Sequence, residues 1–150
     1  MKQADYIIVG AGSAGCVLAN RLTEDDTRSV LLLEAGGRDN NTFIHMPAGF
    51  AQLVPEANDH NYGFETEVEP NLNNRNLYWP RGRGWGGSSA INAMVYIRGN
   101  AWDYDHWSQL GNTSWSYESV LPYFKRAENF SGEGDQQYHG HGGPLHVKKS

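Results

Sequence analysis

The stretch that decides the fold is Tyr6-Ile-Ile-Val-Gly-Ala-Gly-Ser-Ala-Gly-Cys-Val-Leu-Ala-Asn-Arg-Leu22. The mostly apolar run at residues 5–9 has no polar alternation, which is typical of a strand buried on both faces in a parallel sheet. Apolar residues then recur at helical spacing, at Ala14, Val17, Leu18 and Leu22. The stretch therefore predicts a strand, a glycine-rich turn and an amphipathic helix, in that order.

A second apolar run, at residues 29–33, follows a polar turn and ends at Glu34-Ala35-Gly36-Gly37. A strand, a helix and a second strand within about thirty residues form one βαβ unit with the usual short connections. Residues 38–80 lose this periodicity and are rich in Asn, Pro and Gly. The sequence therefore predicts an α/β protein, in which a Rossmann-like βαβ unit is followed by loop-rich segments.

The glycine-rich turn is typical of a dinucleotide site. Gly10 permits the tight turn, Gly12 lets the main chain approach a pyrophosphate, and Gly15 lets the helix pack on the strand. The free N–H groups at the start of the helix would hold the phosphates. Glu34 follows Gly15 by 19 residues and would accept hydrogen bonds from ribose hydroxyls while repelling a 2′-phosphate. A P-loop is excluded, because no Gly-Lys-Ser/Thr follows the turn.

The turn by itself does not distinguish NAD from FAD. An NAD domain should continue with alternating strands and helices, whereas this chain runs into a long irregular stretch. That difference favours FAD, which is longer and often needs a second binding segment for its flavin end. Two alternatives stay open: an NAD-dependent Rossmann dehydrogenase, and a non-catalytic nucleotide-binding remnant.

A second glycine cluster, Gly84-Trp85-Gly86-Gly87-Ser88-Ser89, precedes Asn92. Backbone without side chains beside small hydroxyls suits a segment that lies against a ligand. The amide of Asn92 offers both a donor and an acceptor. A surface loop that leads to a strand at residues 94–97 is an equally good interpretation from composition alone.

The remaining pattern predicts a few further elements. A short helix is expected at residues 103–110, and a longer one at residues 116–128 with Ser116 as its N-cap. Residues 64–68 are interpreted as a strand, and residues 131–143 are again polar and glycine-rich.

Composition excludes several classes of protein. The 150 residues carry 17 acidic and 12 basic side chains, for a net charge of −5, whereas a nucleic-acid binder would show a basic stripe. No apolar run approaches the ~20 residues that cross a bilayer, and the N-terminus lacks the pattern of a secretory signal. Cys16 is the single cysteine, so an internal disulfide is excluded. We expect a cytoplasmic protein.

Taken together, the two glycine-rich segments resemble those of the glucose-methanol-choline (GMC) oxidoreductases, which are FAD-dependent alcohol oxidases and dehydrogenases. Residues 6–22 with Leu31-Leu-Leu-Glu-Ala-Gly-Gly37 are similar to that family's N-terminal FAD motif. Gly82-Arg-Gly-Trp-Gly-Gly-Ser-Ser-Ala-Ile-Asn92 is similar to its first signature, with Trp85 in place of the usual leucine. The resemblance continues into residues 138–145 and covers nearly the whole chain.

The resemblance implies an FAD site built from these two segments. The implied dinucleotide contacts are Gly10, Gly12, Ser13, Ala14, Gly15, Glu34 and Ala35. The implied contacts near the pyrophosphate and the flavin are Arg81, Gly87, Ser88, Asn92, Ala93 and Val95. Some members attach FAD through a histidine where this sequence has Ile91, so the FAD is expected to be non-covalent.

The resemblance also implies an activity, in which hydride passes from an alcohol to flavin N5 while a histidine removes the hydroxyl proton. The implied substrate is choline or an aliphatic primary alcohol. The implied electron acceptor is a quinone or another non-oxygen acceptor, which adds association with the inner membrane surface to the expected cytoplasmic location. The family's catalytic histidine lies near the C-terminus of a chain several times this length, so no catalytic residue is expected here.

We therefore expect an N-terminal fragment of a GMC-type two-domain fold. Residues 1–37 would form the ADP-binding βαβ unit, and residues 38–150 would form segments that cover the FAD and contact the flavin. His139, His141 and His146 are expected to lie solvated in a glycine-rich loop and to hold no metal.

Overall fold

The computed structural model describes residues 3–149. Within that range the chain divides into two compact units, the first ending at Val95 and the second beginning at Tyr96. Among the described helices, none has the length and apolar character needed to cross a membrane. The predicted functional division at residue 37 stays a prediction.

The first unit opens with the expected βαβ arrangement. Its elements are β1 (Tyr6–Val9), α1 (Ser13–Leu22) and β2 (Val30–Leu33). The two strands pair in parallel, with Tyr6 opposite Val30. The strand, turn, helix and strand therefore follow the order that the apolar periodicity predicts, and the α/β class with a Rossmann-like unit is confirmed.

The prediction that these strands are buried on both faces is wrong for the part of the chain that the structure describes. Ile8 is buried and faces α1, since a Cβ on Gly15 would lie 3.3 Å from its Cγ2. Ile7 and Val9 point to the opposite face and are 62% and 84% exposed. The reason is that α1 covers only one face of this two-stranded sheet.

The irregular part of the first unit contains short elements. They are α2 (Phe50–Leu53), β3 (Phe64–Glu65) and β4 (Tyr78–Trp79), with 3₁₀ turns at Pro47–Gly49, Pro70–Leu72 and Gly87–Ala90. β3 pairs antiparallel with β4, so the strand predicted at residues 64–68 is present only in its first two positions. The strand predicted at residues 94–97 is absent, and Met94 has a positive φ of 57°.

A buried amide holds this irregular part together. Asn61 is almost fully buried, and its Nδ2 donates to the carbonyl oxygens of Val54 and Glu56 at 3.0 and 3.1 Å. Its Oδ1 accepts from the backbone N–H groups of Gly63 and Arg81 at 3.1 and 3.0 Å. One side chain thus replaces the regular backbone pairing that the segment lacks.

The second unit contains the two predicted helices and a small sheet. Its elements are α3 (Ala101–Gln109), α4 (Tyr117–Ala127), β5 (Glu128–Ser131) and β6 (Leu145–Lys148), with a 3₁₀ turn at Thr113–Trp115. A capping box at Asn100 begins α3, and the hydroxyl of Ser116 caps α4 as predicted. The helix predicted at residues 116–128 is confirmed from its N-cap at Ser116 to its C-cap at Glu128. Glu128 also begins β5, which pairs in parallel with β6.

A buried ion pair lies at the centre of the second unit. Arg98 Nη2 donates to Glu128 Oε2 at 2.7 Å, and the two side chains are 1% and 0% exposed. The N–H of Gly140 donates to the same oxygen at 2.7 Å. His139 lies 3.1 Å from Glu128 Oε1, stacks on Phe130 and is 20% exposed, so the expectation that it is solvated is wrong.

Burial raises the pKa of the Glu128 carboxyl, but the N–H of Gly140, the His139 ring and the positive charge of Arg98 outweigh burial. Together they lower this pKa below its ordinary value, so the carboxylate is charged at neutral pH.

We predict that Glu128→Gln destabilises the second unit, because Arg98 is left buried without its counter-charge. The expected cost is about 3–5 kcal/mol. The pKa of Glu128 is lower in the folded state than the value of about 4.3 expected in the unfolded state. The ion pair therefore stabilises the unit fully above about pH 4.3, and this stabilisation is lost as the pH falls through the folded-state pKa. Hydrogen–deuterium exchange across residues 128–148 should be faster in the variant than in the wild type at neutral pH, and the difference should shrink in acid.

The exposed Glu133 provides the control for this experiment. Glu133→Gln should change the local stability by less than about 0.5 kcal/mol. If Glu128→Gln exchanged at the same rate as the wild type at neutral pH, the proposed importance of the ion pair would be contradicted.

Candidate functional site

The glycine-rich turn is shaped by two close backbone approaches. Gly10 has a φ of +98°, a conformation that favours glycine, and its N–H donates to the carbonyl of Leu33 at 2.7 Å. A Cβ on Gly15 would lie only 1.9 Å from the carbonyl oxygen of Gly10. The start of α1 can therefore lie directly against the turn only because residue 15 has no side chain.

The start of α1 presents free donors to an open space. Gly12 is the N-cap, and the backbone N–H groups of Gly12, Ser13, Ala14 and Gly15 have no acceptor among residues 3–149. A Cβ built on Gly12 would meet no atom within 4 Å. Unpaired N–H groups at the positive end of a helix form a site for an anion such as a phosphate.

Glu34 accepts hydrogen bonds from three different segments of the backbone. Its Oε2 accepts from the N–H of Ala11 at 2.7 Å, and its Oε1 accepts from Gly36 and Gly84 at 2.8 and 2.9 Å. A carboxylate has about four acceptor positions, two on each oxygen. Oε1 is thus fully used, while Oε2 keeps one position that a ribose hydroxyl could occupy.

These contacts also set the charge of Glu34. Burial raises the pKa of its carboxyl, but the N–H groups of Gly36, Ala11 and Gly84 outweigh burial and lower that pKa below its ordinary value. The side chain is therefore a carboxylate at neutral pH, which suits acceptance from hydroxyls and disfavours a nearby phosphate.

The second glycine cluster packs directly on the first turn. The N–H of Gly86 donates to the carbonyl of Ala11 at 2.8 Å. A Cβ on Gly87 would lie 2.8 Å from the Cα of Gly12. Residues 84–89 therefore pack on the glycine-rich turn, and their contact with a dinucleotide stays a prediction.

Three other residues predicted for the site, Ser88, Asn92 and Arg81, contact other groups of the protein. Ser88 Oγ accepts from the N–H of Gly82 at 3.1 Å, and Asn92 Oδ1 accepts from the N–H of Met94 at 2.8 Å. The guanidinium of Arg81 lies 5.1 Å from the ring of Trp79. The last three predicted residues have exposed side chains: Ala35, Ala93 and Val95.

Two concave regions lie in the first unit. The first, which we call the strand-end cleft, has a volume of about 380 Å³ and is lined by Val9, Gly10, Leu33, Glu34, Ala35 and Tyr62. The second, which we call the aromatic cavity, has a volume of about 370 Å³. Its walls include Phe43, Phe50, Trp85, Ser89, Asn92 and Met94. Both volumes are within the range of ligand sites, about 300–1,000 Å³.

Two residues near the strand-end cleft escaped the sequence analysis. Tyr62 lines the cleft, and the guanidinium of Arg83 lies 5.7 Å from the Tyr62 ring and 3.5 Å from the carbonyl of Ala35. The Nε of Arg83 is buried without a hydrogen-bond partner in the part of the chain that the structure describes. No local pattern marks either residue, because their positions depend on contacts that are distant in sequence.

Comparisons with known proteins agree with this geometry. The model of the GMC oxidoreductase family matches residues 4–150. An oxygen-dependent choline dehydrogenase of Sinorhizobium fredii is 54% identical over 147 residues, which are 98% of this chain and 26% of the relative. The chain thus spans about a quarter of the length of the curated relatives it matches.

Two solved structures support the same assignment. Pyridoxine 4-oxidase from Mesorbium loti is 38% identical, with a TM-score of 0.87 over 96% of this chain and 28% of that protein. An FAD-dependent oxidoreductase from Chaetomium thermophilum is 37% identical, with a TM-score of 0.80 over 97% of this chain and 26% of that protein.

We predict that Glu34→Gln loosens the second glycine cluster even without any ligand. The amide NH₂ of glutamine would face either the N–H of Ala11 or those of Gly36 and Gly84, so at least one buried donor loses its acceptor at a cost of about 1–3 kcal/mol. Hydrogen–deuterium exchange should become faster across residues 82–92 and stay unchanged in α3. Glu24→Gln, an exposed change just after α1, is the matched control; unchanged exchange in Glu34→Gln would refute the prediction.

Proposed function

Because this chain belongs to the GMC oxidoreductase family, we propose that it forms the FAD-binding part of an enzyme that oxidises the CH–OH group of an alcohol. The observation that carries the proposal is the contact set of Glu34. One carboxylate accepts from Ala11 of the first glycine turn and from Gly84 of the second glycine cluster. The two segments therefore face one ligand rather than two.

The residues present fit an FAD molecule. The open space before Gly12 and the four unpaired N–H groups at the start of α1 suit its diphosphate. The remaining acceptor position of Glu34 suits its adenosine ribose. The unpartnered Nε of Arg83 is a further donor beside the strand-end cleft. A second binding segment packed on the first supports FAD over NAD, which needs no such segment.

Within this site each group has a separate task. The N–H groups of residues 12–15 would bind the phosphates, and Glu34 would orient the adenosine half and disfavour a 2′-phosphate. Ile91 is buried and has no nucleophilic atom, which supports non-covalent binding. FAD, when bound, supplies hydride acceptance at flavin N5.

We propose choline or an aliphatic primary alcohol as the substrate, in keeping with the name of the Sinorhizobium relative, a choline dehydrogenase. We assign no catalytic role to a side chain of this chain, and place the proton-accepting histidine elsewhere in the whole protein. For the electron acceptor we propose a quinone or another non-oxygen compound, which would bring a cytoplasmic protein to the inner membrane surface. The name "oxygen-dependent" of the relatives makes oxygen the alternative to test.

The experiment for the proposed function uses the full-length protein. We expect a yellow preparation that releases FAD on denaturation and is reduced anaerobically by choline or by a medium-chain alcohol. Reoxidation by a quinone in the absence of oxygen would support the proposed acceptor, and reoxidation by oxygen alone would overturn it. A colourless protein that reduces NAD would overturn FAD, and a protein without cofactor or activity would indicate a remnant.

A matched pair of glycine variants tests where the FAD binds. Gly12 has an extended backbone conformation that alanine tolerates, and its Cβ would meet no protein atom within 4 Å. Gly12→Ala should therefore fold normally but weaken FAD binding by at least about tenfold, or ~1.4 kcal/mol, because the methyl group occupies the phosphate space. Titration of the deflavinated full-length protein with FAD measures this change.

Gly37→Ala is the control, since its Cβ also meets no atom within 4 Å and residue 37 is not a proposed ligand contact. It should bind FAD like the wild type. Equal affinity in Gly12→Ala and Gly37→Ala would contradict the placement of the diphosphate.

A further inference from the structure

Trp85 stands where the resemblance leads us to expect leucine, and its side chain forms part of the wall of the aromatic cavity. Its backbone N–H donates to the carbonyl of Gly37 at 3.2 Å. The guanidinium carbon of Arg38 lies 5.4 Å from the centre of the indole, within the range of a cation–π contact. Arg38 thus covers one face of the indole, and the side chain remains 52% exposed.

The aromatic cavity borders the start of α1 through one of its lining residues. Gly86 and Ser89 line the cavity, and the hydroxyl of Ser89 is hydrogen-bonded to that of Ser13, the first residue of α1. A dinucleotide with its diphosphate at the start of α1 and its adenosine half at Glu34 therefore directs its other half past Ser89. For FAD that half is the flavin.

We propose that Trp85 is a positioning residue for the flavin, with its indole against the isoalloxazine ring and its orientation fixed by Arg38. The proposal rests on the proposed function, because it requires that FAD is bound. Two aromatic ring systems in contact gain about 0.5–1.5 kcal/mol beyond the area they bury. Phe43 and Phe50 line the same cavity, so its walls are suited to a flat ring system.

An indole in contact with a flavin has an optical signature. On illumination, the excited isoalloxazine takes one electron from the indole, and the electron then returns, so both rings are restored and no bond forms or breaks. The flavin emission is quenched by this cycle. If Trp85 lay at a distance from the flavin and only filled space, its replacement would not change the lifetime of the flavin emission.

The chain offers a closely matched control in Trp79. This residue belongs to the same unit, is 46% exposed and lies 5.1 Å from the guanidinium carbon of Arg81, but it does not line the aromatic cavity. The Trp79–Arg81 pair therefore repeats the chemistry of the Trp85–Arg38 pair outside the aromatic cavity, and Trp79→Leu leaves Arg81, an implied cofactor contact, in place.

The experiment compares the FAD-loaded full-length wild type with Trp85→Leu, Trp85→Phe and Trp79→Leu. The readouts are the flavin fluorescence lifetime and the amount of bound FAD from its absorbance. We expect a longer lifetime in both Trp85 variants, since neither leucine nor phenylalanine donates an electron readily, and an unchanged lifetime in Trp79→Leu. Wild-type lifetimes in the FAD-loaded Trp85 variants would overturn the proposal.

If Trp85→Leu fails to retain FAD, the flavin lifetime in Trp85→Phe decides, because phenylalanine keeps an aromatic side chain in the wall of the cavity. A lengthened lifetime in Trp79→Leu equal to that in the Trp85 variants would also overturn the assignment. A wild-type protein that binds no FAD at all would instead overturn the proposed function, so the two failures are distinguishable.

Discussion

The arrangement of the first unit depends on one carboxylate. Glu34 lies at the end of β2 and accepts from the backbone of Ala11, Gly36 and Gly84, which are 23, 2 and 50 residues away in the sequence. An ionised carboxylate can serve three donors at once because each of its two oxygens offers two acceptor positions. The same carboxylate that we propose to bind a ribose therefore also connects the two glycine-rich segments, so the proposed ligand recognition and the local structure depend on the same residue.

Glycine is needed here because backbone lies against backbone. A Cβ on Gly36 would lie 2.3 Å from the nitrogen of Gly84, and one on Gly82 would lie 2.1 Å from the carbonyl oxygen of Gly87. By contrast, the Cβ direction is open at Gly12, as it is at Gly10 and Gly37. Gly12 is the one of these that begins α1, and there we propose that a ligand reaches the main chain. The glycines of this unit thus differ: some permit packing of backbone on backbone, whereas Gly12 has open space that we propose a cofactor fills.

The βαβ unit and the helices α3 and α4 could be predicted from the sequence, because short-range periodicity and capping residues determine them. The contact of the second glycine cluster with the first could not, since it joins residues about 75 positions apart and leaves no local pattern. The pairing of β5 with β6 and the ion pair of Arg98 with Glu128 were missed for the same reason. The family resemblance indicated both glycine segments, but only the geometry shows how Glu34 joins them.

We propose that both glycine segments bind one FAD molecule. Hydrogen–deuterium exchange of the full-length protein, with and without FAD, tests it most directly. We expect FAD to slow exchange both at residues 10–15 and at residues 84–92. Protection of the first segment alone, or of neither, would contradict it.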